Sequence, residues 1–311
     1  MNDYIVTGGT GFIGRNLIKR LLKENKRVYA VVRPDSRNIS FLPKDDNIIV
    51  VKSDIGEISQ HKDELPKECE AVFHFAWGGV NREELGSDVI QKKNVDDSLE
   101  LLDTALEKGC KKFVFAGSRS EYGVQSGVYT EDLDCHPIVA YGKAKLDFGN
   151  IAYDTCSKGG MKFLHARIFS VYGPDDHPWS LVSSSVNKML NNEKIDLSEC
   201  LHYWNYMYID DTVDLLYEIS RKSDRIPNND NCIFNVATRD IRPLKEYVEE
   251  IKRVTGSNSL LNYGAYKQSA ESAVSLLPDM SKVEKLFDWK SNVSFSEGIE
   301  NIIRYMEAKN A

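Results

Sequence analysis

Long apolar runs are missing from this 311-residue chain. Its hydrophobic residues come in short stretches, well below the about 20 consecutive positions that a membrane-spanning helix requires. No secretory leader is expected, because residues 4–6 already read as a strand. Positive charge is in deficit: 40 Lys and Arg stand against 47 Asp and Glu, a net charge of -7. That balance argues against general affinity for nucleic acid or anionic membrane, while leaving room for a local basic pocket. CxxC pairs are absent. Cys69, Cys110, Cys135, Cys156, Cys200 and Cys232 are scattered, which fits reduced thiols in a cytoplasmic protein better than a disulfide or zinc framework. The six histidines show neither HxH nor HExxH spacing, so no metal site is expected. Internal repeats and low-complexity tracts are lacking too.

What is present is a regular alternation. Short apolar runs at 4–6, 28–32, 48–51, 71–75, 113–116 and 163–169 read as strands. Between them lie helical patterns, such as Phe12, Ile13, Leu17, Ile18, Leu21 and Leu22, or Leu99, Leu102 and Leu106 ahead of Gly109. Near-continuous apolar strands alternating with helices predict an α/β fold with a doubly wound parallel sheet, covered on both faces. After Gly173-Pro174 the rhythm breaks: 226–230 is polar, 257–275 is mixed, and helices are expected around 244–254 and 296–306. The expected division is a dinucleotide-binding domain over 1–173 and a smaller, mostly substrate-binding domain of mixed α/β structure over 174–311. The chain is expected to return to the first domain around 205–240.

Residues 6–14, VTGGTGFIG, follow the first strand and open a helix. In such a turn Gly8 permits the tight bend and Gly11 lets backbone approach a pyrophosphate. Gly14 allows close helix–sheet packing, and the N–H groups of Phe12 and Ile13 face the phosphates. Tyr141-Gly142-Lys143-Ala144-Lys145 contains YxxxK, which on a helix places Tyr141 and Lys145 on one face. A lysine cation there is expected to lower the phenol from its ordinary pKa of ~10. Ser118, closing the run 115–118, sits where a strand's carboxyl end meets ligand.

These motifs resemble the extended branch of the short-chain dehydrogenase/reductase superfamily, the nucleotide-sugar epimerases, dehydratases and reductases. The resemblance covers nearly the whole chain. It implies a catalytic set of Ser118, Tyr141 and Lys145, and adenine contacts from Asp54 and Ile55. It also implies cofactor contacts from Phe75 and Ala76 in an HxAA-like segment that departs at Trp77, and from Phe169 in RIFSVYGP. Asn94 matches a structural Asn, and residues 279–289 match a closing DxSK…W pattern. A homodimer is implied, through helices at 94–108 and 141–156.

Three departures shape the functional expectation. The 4,6-dehydratases carry Asp-Glu after the catalytic Ser/Thr; here Arg119 and Ser120 stand there, and Glu121 is expected to point elsewhere, so that elimination chemistry is excluded. NAD-selective relatives end the second strand with an acid that bonds the ribose 2′-hydroxyl. This chain has Arg33, with Arg37 soon after, cations suited to a 2′-phosphate. NADP is therefore favoured over NAD, the alternative being that both arginines are solvated loop charges. In the substrate half, Ser170 replaces an Asn, and Trp204 replaces an Arg that grips the diphosphate in relatives. Lys188, Arg239, Arg242 and Lys267 are the alternative cations, and His177 and Trp179 are candidates to line the sugar pocket. The expected substrate contacts are Trp77, Ser118, Arg119, Ser120, Tyr141, Ser170, His177 and Trp204.

The leading expectation is NADPH-dependent reduction of a nucleotide-activated 4-keto sugar for surface-glycan synthesis. The second is a 4-epimerase that retains NAD. The third is a non-catalytic, NADP-binding sensor, against which the intact Ser-Tyr-Lys set speaks.

Overall fold

The computed structural model describes residues 2–81, 83–267 and 274–310, so part of the mixed 257–275 stretch lies outside the described residues. A seven-stranded parallel sheet is its frame. In chain order the elements begin with β1 (Asp3–Thr7), α1 (Phe12–Lys23), β2 (Arg27–Val32), β3 (Ile48–Lys52), β4 (Ala71–His74) and α2 (Asp88–Glu107). They continue with β5 (Lys112–Ser118), α3 (Ala140–Gly159), β6 (Lys162–Ile168), β7 (Ser170–Tyr172), α4 (Leu181–Leu190) and β8 (Ile195–Asp196). The remainder are β9 (Tyr203–Tyr208), α5 (Ile209–Arg221), β10 (Ile233–Val236), β11 (Ile241–Pro243), α6 (Leu244–Thr255), β12 (Leu261–Asn262), α7 (Ser281–Phe287) and α8 (Phe295–Asn310).

The sheet order is β10-β6-β5-β4-β1-β2-β3, the doubly wound α/β arrangement expected from the sequence. Side chains alternate across the pleat. In β1, Tyr4 and Val6 enter one core with Leu17 of α1 and Leu216 of α5. Ile5 enters the other with Leu101 and Leu102 of α2 and Phe148 and Ala152 of α3. Burial on both faces explains why these strands read as unbroken apolar runs. The carboxyl ends of β1, β2, β4, β5 and β6 converge on one edge, where Gly8, Arg33, Phe75 and Phe169 follow their strands and Ser118 ends its own.

The second half is more ordered than its sequence suggests. Beyond the two expected helices it contributes α4, α5 and α7, the sheet β11-β9-β7 and the pair β12-β8. Strand β10 pairs in parallel with β6 and completes the main sheet. Helix α5 packs on α1, where the Arg20 guanidinium donates to Asp214 at 2.9 Å. An aromatic cluster consolidates the smaller layer, with Tyr247 edge-on to Phe295 at 4.7 Å and to Tyr206 at 5.1 Å. No helix among the described residues is long and apolar enough to cross a membrane.

Candidate active site

The phosphate turn has the geometry its glycines foreshadow. Gly8 adopts φ +65°, and a Cβ there would stand 2.8 Å from the Ala76 nitrogen. A Cβ on Gly14 would meet the Gly8 carbonyl oxygen at 2.3 Å, so α1 lies against the turn only because Gly14 has none. Gly11 is the N-cap of α1 and supplies no capping side chain, which leaves the first-turn N–H groups, Phe12 and Ile13 among them, for a ligand. This cradle fits a dinucleotide pyrophosphate. Its surroundings fit as well: the Ala76 N–H donates to Thr7 Oγ1 at 3.3 Å, holding Phe75 and Ala76 against the turn. The Ser53 N–H donates to the Val32 carbonyl at 2.9 Å, bringing Asp54 and Ile55 beside the end of β2. Thr10 and Ser36 share a hydroxyl hydrogen bond of 3.2 Å, which draws the Arg33–Arg37 loop over the glycine turn. Arg33 and Arg37 are exposed there.

Ser118, Tyr141 and Lys145 come together as expected. Ser118 ends β5, and its hydroxyl oxygen accepts from the Ser120 N–H at 3.2 Å, capping the short turn that follows. Its own proton stays available, and it lies beside the Tyr141 phenol. Lys145, in the second turn of α3, is buried and donates to the Ala116 carbonyl at 2.8 Å. Its Nζ lies 5.8 Å from the Tyr141 ring centre and only 3.7 Å from that of Trp77. Trp77, half-buried, is fixed by its indole N–H donating to Gln91 Oε1 at 2.8 Å. The alanine-to-tryptophan departure thus seats an aromatic face on the lysine, which favours its cation.

The expected lowering of the tyrosine does not appear. Burial pushes the Tyr141 phenol up to about 12, against a partial opposing effect of Ser118. Burial also brings Lys145 down to about 7. The lysine is turned toward Ala116 and Trp77 rather than the phenol oxygen, so desolvation wins. At neutral pH Tyr141 is therefore a proton donor.

The residue that sequence reasoning left without a role is Glu121. It points away from the reaction face, as expected, and its fully buried carboxylate organises the region behind Ser118. It accepts from the Ser118 N–H at 2.7 Å and from Arg167 Nε at 3.0 Å, and shares a hydrogen bond with His165 Nε2 at 3.1 Å. Burial favours its neutral form, but His165 and Arg167 outweigh that and hold it below the usual carboxylate range. His74 forms a comparable strut between Thr7 (2.8 Å) and Ser98 (2.9 Å). Asn94 clamps the loop after β4 by accepting from the Gly78 N–H at 2.8 Å and donating to its carbonyl at 2.9 Å.

The remaining expectations disperse. Phe169 is buried, edge-on to Tyr129 at 6.1 Å. Ser170 starts β7 beside β9. His177 lies on an exposed loop, stacked on Trp179 at 4.5 Å rather than on the Ser-Tyr-Lys group. Arg239 pairs with Glu284, and Arg242 with Asp240 and Glu250, while Lys188 and Lys267 are exposed. The closing motif is structural. Lys282 Nζ donates to Asp230 (2.8 Å), Asn231 (2.9 Å) and the Ile233 carbonyl (2.8 Å), tying α7 to β10.

A phosphate turn after β1 with Ser, Tyr and Lys at β5 and α3 defines the extended short-chain dehydrogenase/reductase class. The chain belongs to the NAD-dependent epimerase/dehydratase family, whose model matches residues 4–237. It is 26% identical to the UDP-glucuronate 4-epimerase of Thermodesulfobacterium geofontis, over 98% of this chain and 96% of that protein. It is also 26% identical to the CDP-abequose synthase of Salmonella muenchen, over 97% of each. Among solved structures, UDP-glucose 4-epimerase from Thermotoga maritima with UDP-glucose superposes with a TM-score of 0.87 at 24% identity, covering 99% of this chain and 100% of that one.

Proposed function

We propose that the protein reduces a nucleotide-activated 4-keto sugar with NADPH. The observation that carries this reading is the end of β2. An exposed Arg33 stands where an NAD-selective site has a carboxylate, and the Thr10–Ser36 bond draws its loop over the phosphate turn. Bound in this cradle, the dinucleotide supplies the hydride. Ser118 donates a hydrogen bond to the substrate carbonyl oxygen, and Tyr141 gives that oxygen its proton. Burial of the phenol suits this direction, since the reduction needs the acid form at the outset. Lys145 orients the ribose and, held against the Trp77 face, keeps a cation near the site as the tyrosine proton leaves.

A 4-epimerase is the second reading, favoured by the similarity to a UDP-glucuronate 4-epimerase. It uses the same Ser118, Tyr141 and Lys145 but returns the hydride to the same sugar and shows no net redox change. Arg33→Asp separates the two. In the reductase reading the wild type prefers NADPH, and the variant loses a charge-assisted bond of about 1.5–3 kcal/mol, so its KM for NADPH rises at least tenfold while NADH use holds or improves. A wild type that prefers NADH, or purifies with tightly held NAD, removes the reductase reading in favour of the epimerase.

The reading includes a homodimer built on α2 and α3. Their surfaces carry Val89, Ile151 and Tyr153, exposed at 82%, 42% and 40%. Light scattering at micromolar concentration should give twice the mass of one chain, and a single-chain mass contradicts it.

A further inference from the structure

Arg119, the first residue past Ser118, has no charge partner among the described residues. Arg15, Arg20, Arg27, Arg167, Arg221, Arg239 and Arg242 are each paired with a carboxylate. Arg119 pairs with none among the described residues, nor does its guanidinium donate a hydrogen bond there, although it is only half-exposed. Burial pulls its pKa below the usual value, offset in part by the Tyr129 and Tyr141 phenols nearby. Its Cζ lies 5.4 Å from the Trp204 ring centre, and Trp204 in turn meets His202 edge-on at 5.3 Å. Both neighbours carry a buried ring nitrogen without a hydrogen-bond partner, Trp204 Nε1 and His202 Nε2. A face of the tryptophan ring stabilises a cation but accepts none of its N–H bonds. The end of β5 therefore holds an unpaired cation, an unmet indole N–H and an unmet imidazole nitrogen beside the tyrosine that handles the proton. Native structures rarely leave such groups unmet.

We infer that Arg119, flanked by Trp204 and His202, binds an anionic oxygen group of the substrate, a phosphate or a carboxylate. The planar guanidinium fork matches either through two parallel charge-assisted bonds. This rests on the nucleotide-sugar reading, because a UDP-, dTDP- or CDP-linked sugar carries a diphosphate, and a uronate form adds a sugar carboxylate. It also accounts for Trp204 in place of a cation: the positive charge of the cleft has moved from β9 to the turn after β5, and the indole supports it from the side.

The test uses Arg119→Met, which keeps the length of the stem, and Arg119→Lys, which keeps the charge. Titration calorimetry with UDP-glucose, dTDP-glucose, CDP-glucose and UDP-glucuronate measures Kd for the full chain. Arg119→Met is expected to weaken binding roughly tenfold to a hundredfold, with Arg119→Lys in between. The melting temperature of Arg119→Met should stay close to wild type, because only the contact with the Trp204 face is lost. Equal loss for every sugar that the wild type binds assigns Arg119 to the phosphates. Loss confined to UDP-glucuronate assigns it to the sugar carboxylate. Wild-type Kd values in Arg119→Met overturn the inference, as does a fall in melting temperature with unchanged Kd, which marks a structural role. A wild type that binds none of the four removes the nucleotide-sugar reading and this inference together.

Discussion

Tyr141→Phe is expected to fold normally, to bind dinucleotide as the wild type does, and to lose at least about a hundredfold in turnover, the scale of one general acid–base group. The ring stays, so the packing near Lys145 and the turn after Ser118 are kept. Ser118 retains its bond from the Ser120 N–H. Only the phenol oxygen goes, and with it the proton that must reach the carbonyl oxygen as hydride arrives at carbon. The nearby groups offer no replacement. Lys145 Nζ is engaged by the Ala116 carbonyl, and Ser118 has a hydroxyl too weakly acidic to give up its proton at neutral pH. The check pairs a thermal melt with and without NADPH with single-turnover kinetics. An equal stabilisation by NADPH with lost chemistry is the expected result. Turnover within a few-fold of wild type sinks the assignment of Tyr141.

The second large effect is on stability. Removing the Glu121 carboxylate leaves the Arg167 guanidinium buried without its partner and the Ser118 N–H without an acceptor. Breaking a buried ion pair from one side costs about 3–5 kcal/mol, on the order of 10 °C in melting temperature for a chain of this size. Glu121→Leu should show that loss. Glu121→Gln, which keeps an acceptor but not the charge, should lose less and still turn over slowly, because Ser118 is no longer held firmly. The pH dependence has a definite sign. The folded-state pKa of Glu121 is held below its unfolded value. Its contribution is therefore fully present above the unfolded carboxyl pKa of about 4.3 and is lost as pH falls through the folded value. Wild type should lose stability more steeply than Glu121→Gln below about pH 4.3. Parallel acid profiles for the two, or a Glu121→Leu melt within two or three degrees of wild type, on the order of 1 kcal/mol, contradict this role.

Local patterns carried much of the fold and the grouping of Ser118, Tyr141 and Lys145. The glycine turn, the YxxxK pair and the strands buried on both faces each depend on residues close in sequence, so their spacing reveals them. What stayed hidden depends on distance. Glu121 acquires its meaning from His165 and Arg167, 44 and 46 residues away on β6. Asp210 and Asp211 at the start of α5 look like loop acids. Yet the Asp211 carboxylate accepts from the Asn292 and Val293 N–H groups at 3.0 Å each, capping a segment 81 and 82 residues on. Strand β10 is four residues long and follows a polar loop, so nothing local distinguishes it from a turn; pairing with β6 makes it a strand. The tyrosine's raised pKa was missed for a related reason. The spacing to Lys145 is visible in the sequence, but the Trp77 face and the Ala116 carbonyl that occupy the lysine are not.

Following the hydride tests the account most directly. Wild-type protein is incubated with NADPH carrying deuterium at the transferable position of the nicotinamide and with 4-keto-6-deoxyhexoses linked to UDP, dTDP and CDP, and the sugar products are analysed by mass spectrometry and NMR. The account predicts that one of these sugars is reduced, gains one deuterium on the carbon that held the carbonyl, and consumes one NADPH per sugar. All three sugars recovered unreduced, with no deuterium incorporated and no NADPH consumed, would contradict it.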